Sequence, residues 1–242
     1  MNIIVNENKS EATKSLYTSE LNSFLENWDV TYKQSVAHIP LFIDNITREW
    51  SDKQKKFFVK IFYHARGHFH NFLWHMGNHA PNLDAKEIIL KNIMEEFGGR
   101  AQSHEKLYIT FAESLGVHDI YDETLNQQNN LPFIKKFNHG HIERLITNLS
   151  WEDNLSVFSA YERLDNIDYA NLLKLVKSLG VSEKDSLFFR VHIHVEHFQT
   201  THSTLQAVWI KDKQTVMDAF SFIASHQLQL WKNLSDAISK YL

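Results

Sequence analysis

Near the middle of the chain, Asn92-Ile93-Met94-Glu95-Glu96-Phe97-Gly98-Gly99 is followed by His104. Two adjacent acids close a helix whose other face is apolar, and a histidine opens the next helix after a glycine-containing loop. Such a helix–loop–helix can bring one carboxylate and one imidazole to a single point, the donor pair that a hard, redox-active metal takes. The plainer reading is a solvated helix end. Acids at a helix C-terminus oppose the macrodipole, however, and call for compensation such as a cation.

A second group lies in Phe188-Phe189-Arg190-Val191-His192-Ile193-His194-Val195-Glu196-His197-Phe198-Gln199. His192 and Glu196 are four apart and Gln199 three further, so on a helix all three project from one face over two turns. His194 and His197 point away from that face. The flanking residues are Phe and Val, so the helix reads as buried. A buried His–Glu pair is a functional-site candidate, where an exposed one is an ordinary surface hydrogen bond. The third element is Glu162, set in an apolar helix after Val157, Phe158 and Tyr161. It is either a ligand or the partner of Arg163 or Lys174. His64, His68, His70 and His75 form a histidine-rich stripe that no carboxylate joins within its helix, and they read as core or rim histidines. No Glu-x-x-His occurs, which removes the ferritin-like four-helix pattern. No His-Glu-x-x-His occurs either, which removes the common zinc-hydrolase signature.

The elements that must position these groups are helices. Only seven glycines and three prolines punctuate 242 residues, too few for the turns a sheet needs, so the fold class is all-α. Residues 1–10 read as a tail. Helices are expected from Glu11 to Trp28, from Val30 past Phe42, and from Asp52 to about His79 behind a Ser51/Gln54 capping box. Others run from Asp84 to Phe97, from Ser103 to Leu115 and from Pro132 to Leu149. Ser150 to Leu164, Asp168 to Leu179, Ser182 to Ile210 and a last helix to Leu242 complete the series. No linker divides them, so residues 11–242 are read as one domain.

Composition removes several functions. Without cysteine there is no disulfide, zinc knuckle, iron–sulfur cluster or thiol nucleophile. The formal charge of −4 is well mixed and forms no basic stripe, so nucleic acid is not an expected partner. No signal-peptide core and no apolar run near about 20 residues is present, so a cytoplasmic protein away from membranes is expected.

In chain order the three elements resemble the haem-oxygenase-like di-iron oxidases and oxygenases, the family that includes the Chlamydia protein associating with death domains. The resemblance rests on Asn92 to Glu96 with His104, Leu107-Tyr108 to Val117, Tyr161-Glu162, and Phe189 to His192 with Glu196, and spans roughly residues 20 to 210. It implies a single-domain haem-oxygenase-like (TenA/PqqC-like) helical bundle. It also implies Glu96, His104, Glu162, His192 and Glu196 as iron ligands, with Glu95 an alternative to Glu96. The family's last histidine is replaced by Gln199, and His202, one turn on, is the other candidate for that place. By the same resemblance the cofactors are two Fe(II) ions, or manganese in their place, with O2 as co-substrate. The activity is oxidation of a small amino-acid-derived or fatty-acid-like substrate through a peroxo intermediate, and pairing of two copies is left open. A thiaminase-like activity on this fold would need the absent cysteine, and a haem site would rest on His38. The alternative function is a metal-free or mono-metal interaction or ligand-binding protein on the same fold.

Overall fold

With so few helix breakers, the chain turns only where caps and short polar loops allow it. The computed structural model describes the backbone of residues 3–66, 68–99, 101–120, 131–147, 150–194 and 197–241, and their side chains except those of 3–17, 68, 145–146, 194, 197 and 199–200. The helices are α1 (Ile3–Val36), α2 (Asp44–Thr47), α3 (Asp52–Arg66), α4 (His68–His79), α5 (Leu83–Glu96) and α6 (His104–Ser114), then α7 (Pro132–Thr147), α8 (Trp151–Ser178), α9 (Leu187–His194), α10 (His197–Lys211) and α11 (Lys213–Ser239). A 3-10 turn at Pro40–Phe42 links α1 to α2. No strand occurs among the described residues, and no helix there is long and apolar enough to cross a membrane.

The start signals act as their chemistry requires. The Ser51 amide donates to Gln54 Oε1 at 2.9 Å while the Gln54 amide donates to Ser51 Oγ at 3.3 Å, a reciprocal cap that opens α3. Ser150 caps α8 through the Asp153 amide, and Asp212 caps α11 through the amides of Gln214 and Thr215. Several helices are longer than their sequence suggests. Residues 3–10, read as a tail, form the first turns of α1, and the two helices expected over Glu11–Phe42 are largely this one. Likewise α8 absorbs both helices expected between Ser150 and Leu179. The polar residues that mark a break in the sequence, Asp165 to Asp168, hold no Gly or Pro, so nothing stops the helix. The helix expected over Asp52–His79 is divided into α3 and α4, with Gly67 outside the described residues.

Helix α8 is the axis of the molecule, and α1, α9, α10 and α11 pack around it. It is buried on nearly all sides, with Leu155, Phe158, Leu164, Leu172 and Val176 among its covered residues, as expected for a helix enclosed by others. An aromatic layer joins it to its neighbours: Tyr169 of α8 meets Phe188 edge-on at 5.8 Å, and the adjacent Phe189 stacks on Phe62 (centroids 6.1 Å) and meets Phe111 edge-on at 4.8 Å.

Asp168 ties three helices together inside this core. The Tyr32 hydroxyl of α1 donates to Oδ1 at 2.9 Å, and Trp231 Nε1 of α11 donates to Oδ2 at 2.9 Å. Burial pushes its carboxyl up, hydrogen bonds from Trp231, Tyr32 and Gln227 pull it back, and it settles at about 7 against 3.8 for an ordinary aspartate. Between those two values the folded chain holds a proton that the unfolded chain has released. Stability is therefore greatest near the lower value, falls as pH rises to about 7 and then levels, by up to the order of 4 kcal/mol. Glu162 and Asp165 are also pushed up by burial and add slopes of the same sign, so three carboxyls outweigh the opposite slopes that the depressed His192 and His226 give below about 6.5. We expect the thermal midpoint to fall between pH 5 and pH 7.5, and Asp168→Asn to flatten part of that decline. Parallel pH profiles for the variant and the parent protein would refute the assignment to Asp168.

Candidate metal centre

The loop after α5 is a helix stop that only glycine fits. The Gly99 amide donates to Met94 O at 2.9 Å and the Gly98 amide to Glu95 O at 3.1 Å, the paired bonds of a Schellman end, with Gly98 at φ +89°. Ser103 then caps α6 through the Lys106 amide at 3.3 Å. The turn brings the last residue of α5, Glu96, against the first residue of α6, His104, and His104 Nδ1 stands 2.8 Å from Glu96 Oε1. From α9, His192 reaches the same point, its Nε2 4.0 Å from Glu96 Oε1. One donor atom from each of Glu96, His104 and His192 lies within 4.8 Å of the others, and all three residues are buried.

The chemistry of this set fits a metal. His192 Nδ1 is 2.7 Å from Phe188 O. A carbonyl can only accept, so Nδ1 carries the proton and Nε2 keeps its lone pair for the site, the usual outer bond of a ligating imidazole. Burial first, then the charges of Arg66 and His104, hold the His192 ring well below its ordinary range and hence neutral. Tyr169 stacks flat on the ring (4.1 Å, 12°) and fixes its plane. Burial alone would raise the Glu96 carboxyl, but hydrogen bonding from His104 and His70 and the charge of Arg66 hold it well below the usual carboxylate range. The Glu96–His104 contact of 2.8 Å is close to the spacing of about 3 Å between neighbouring donors on a first-row metal with bonds of about 2.1 Å.

Arg66, which the sequence reading passed over, and His70, read there as a core or rim histidine, face the same carboxylate. Arg66 Nη2 lies 3.6 Å from Glu96 Oε2 and 3.4 Å from His192 Nε2, with its guanidinium 4.4 Å over the Phe188 ring. His70 Nε2 lies 3.5 Å from Glu96 Oε2, and its ring stacks on Phe97. Phe62, Arg66 and His70 recur every fourth residue, a spacing in the sequence that puts a cation on the core-facing side once α3 and α4 are packed.

The other expected ligands are distributed as follows. Glu95 projects to the exposed side of α5, so of the adjacent acids it is Glu96 that joins the cluster. Glu162 is 4 % exposed on α8. Burial, then the nearby charges of Asp165, Glu96 and Glu95, push its carboxyl well above the usual range. It does not pair with Arg163, which makes a bidentate contact with Asp29 at 2.8 Å, nor with the exposed Lys174. Glu196 and the side chain of Gln199 lie outside the described residues. His202 turns toward α1, where its Nε2 donates to Asn22 Oδ1 at 3.3 Å, and it is not part of the cluster. His38 is exposed.

A cleft of about 650 Å³ opens beside His104. Met94, Leu107, Leu187 and Val191 give it apolar walls, and Lys91 and Glu95 bring opposite charges to it.

Residues 56–231 match a haem-oxygenase-type family described as iron-containing redox enzymes. A domain of unknown function with a haem-oxygenase-like fold from Shewanella denitrificans OS217 superposes with a TM-score of 0.67 at 15 % identity, over 91 % of this chain and 92 % of its own. Two structures of a CADD-like protein of unknown function from Nostoc punctiforme PCC 73102 superpose with TM-scores of 0.61 and 0.62 at 16 % identity. They cover 89 % and 91 % of this chain and 98 % and 99 % of their own. Among curated proteins no sequence matches. The all-α bundle is thus a haem-oxygenase-like fold.

Proposed function

The chain belongs to this family of iron-containing redox enzymes, and on that premise we propose that it is an O2-dependent non-haem iron oxidoreductase. Its metal would be held by Glu96, His104 and His192. The observation that carries this reading is the buried meeting of one carboxylate with two imidazoles, one of them with its free nitrogen turned to the site by the Phe188 carbonyl. Bound iron supplies the electron transfer to O2 that no side chain here can perform.

The protein's own residues do the rest. Tyr169 and Phe188 hold the plane of His192, and the aromatic layer around Phe188 and Phe189 keeps bulk water from the donors. A second iron is proposed at Glu162, with Glu196 the further ligand that the sequence resemblance implies, making the centre di-iron. Glu162 supports this because burial among other acids leaves its carboxylate costly unless a cation joins it. The cleft beside His104 is proposed as the substrate site. Its apolar walls with Lys91 and Glu95 fit a small amino-acid-derived molecule, the two charges matching carboxylate and ammonium. A fatty-acid-like substrate would use Lys91 and the walls alone. One observation favours the alternative of a mono-metal or metal-free binding protein: Arg66 already supplies positive charge to Glu96.

Anaerobic loading with ferrous iron, metal counting and rapid mixing with O2 under visible spectroscopy test the reading. We expect close to two irons per chain and a transient visible band, with Glu162→Ala reduced to one iron and no band. A folded protein that takes up no specific iron would sink the oxidoreductase reading.

A further inference from the structure

The metal centre stands at the C-terminal end of α3, and a second cavity opens along the same helix toward its N-terminus. It encloses about 670 Å³ and is lined by Lys53, Lys56 and Lys60 of α3, with Phe57 between them. This is within the size range of small-molecule sites, about 300–1,000 Å³. Positions 53, 56, 57 and 60 share one helical face, so three lysines line one cavity, with Asp119 the acid beside them, in a protein whose net charge is −4. Lys60 is paired with Asp119. Lys53 and Lys56 meet no acidic group among the described residues. Lys56 lies across Gly116, where a side chain would begin 3.4 Å from its Cε, so the absent side chain keeps the lysine at the cavity wall.

The remaining walls are not those of a simple anion trap. Phe57 stacks on Tyr241 at 4.2 Å and 19°, and Tyr241 is 45 % exposed, so an aromatic face is offered at the edge. Ile61, Val117 and Leu131 line the cavity with apolar surface. The Lys53 and Lys56 ammonium groups suit a phosphate monoester of charge near −2, for which lysine serves as a point charge. A stacked aromatic edge and an apolar lining suit a planar ring. We propose that this cavity is a second binding site, distinct from the metal centre, for a phosphorylated aromatic molecule of the mononucleotide class. Lys53 and Lys56 hold the phosphate and Tyr241 stacks on the ring.

Calorimetric titration of the full chain with adenosine monophosphate, with flavin mononucleotide and with inorganic phosphate tests this. At least one of the two nucleotides should bind ten-fold or more tightly than phosphate, and more weakly as salt is raised. Lys53→Ala/Lys56→Ala, both at exposed positions, should weaken that binding at least ten-fold. Tyr241→Ala should weaken the nucleotide and leave phosphate as it was. Iron stoichiometry should be the same in all three proteins, which separates this site from the metal centre. No saturable nucleotide binding at millimolar concentration, or nucleotide binding of unchanged strength in the double lysine variant, overturns the assignment.

Discussion

Glu96→Gln should abolish stoichiometric iron uptake and also weaken the metal-free protein by about 3 kcal/mol, an unusual pairing of effects for a nearly isosteric change. The amide keeps the shape of the side chain but removes the charge on which three neighbours depend. Arg66 at 3.6 Å, His70 at 3.5 Å and His104 at 2.8 Å all face this carboxylate. Removing one partner of a buried ion pair leaves the other charge desolvated and unpaired, which is what makes such changes costly. Two features keep the figure at the low end of the usual range. Arg66 also touches Tyr169, and Glu162 and Asp165 gain when the repulsion from Glu96 is lost. Denaturant titration in chelator-treated buffer measures the stability, and metal analysis after anaerobic loading measures the iron. A double-mutant cycle with Arg66→Gln isolates the pair: the double variant should lose clearly less than the sum of the two single changes. Strict additivity would mean that Arg66 and Glu96 do not interact in solution.

How much of this centre could be read in the sequence depends on how local each part is. Glu96 and His104 are eight residues apart across a glycine loop, so their meeting is encoded by one helix stop and one helix start. His192 is distant in sequence, and only its residue type and apolar flanks marked it. The choice between Glu95 and Glu96 was not local at all. The two differ by about 100° around α5, and the packing of α5 on α4 and α6 selects the one that faces inward. Arg66 was hidden among histidines, because its place on the Phe62–Arg66–His70 stripe gains meaning only once α3 and α4 bury that face. The misplaced boundary inside α8 has the opposite cause. Asp165 and Asp168 look like punctuation in a sequence but face the protein interior from a continuous helix, Asp168 as the hydrogen-bond partner of Tyr32 and Trp231. The merged helices of α1 show the simpler limit, that polar residues alone do not end a helix that lacks Gly and Pro.

Gly98→Ala should cost the protein both its fold around α5 and most of its metal affinity, though residue 98 touches no donor atom. At φ +89° an alanine already suffers the left-handed penalty of about 1–2 kcal/mol. Gly180→Ala measures that penalty by itself, since Gly180 has φ +88° and a Cβ there would meet nothing within 4 Å. At Gly98 the added carbon would stand 2.4 Å from Ser103 N, 2.8 Å from Ala101 O and 2.8 Å from Ser103 Cα. These are backbone atoms, so no side chain can swing aside, and the loop between Glu96 and His104 must open. Ser103 is the cap of α6, so the same displacement carries His104 away from Glu96. The expected result is a loss of stability at least 2 kcal/mol beyond that of Gly180→Ala. Iron affinity should drop by about 10- to 100-fold, the scale on which support for a ligand is felt. Gly180→Ala should keep its iron. Equal stability losses in the two variants, with iron retained in both, would show that the loop relaxes freely and that the Glu96–His104 contact does not depend on its tight turn.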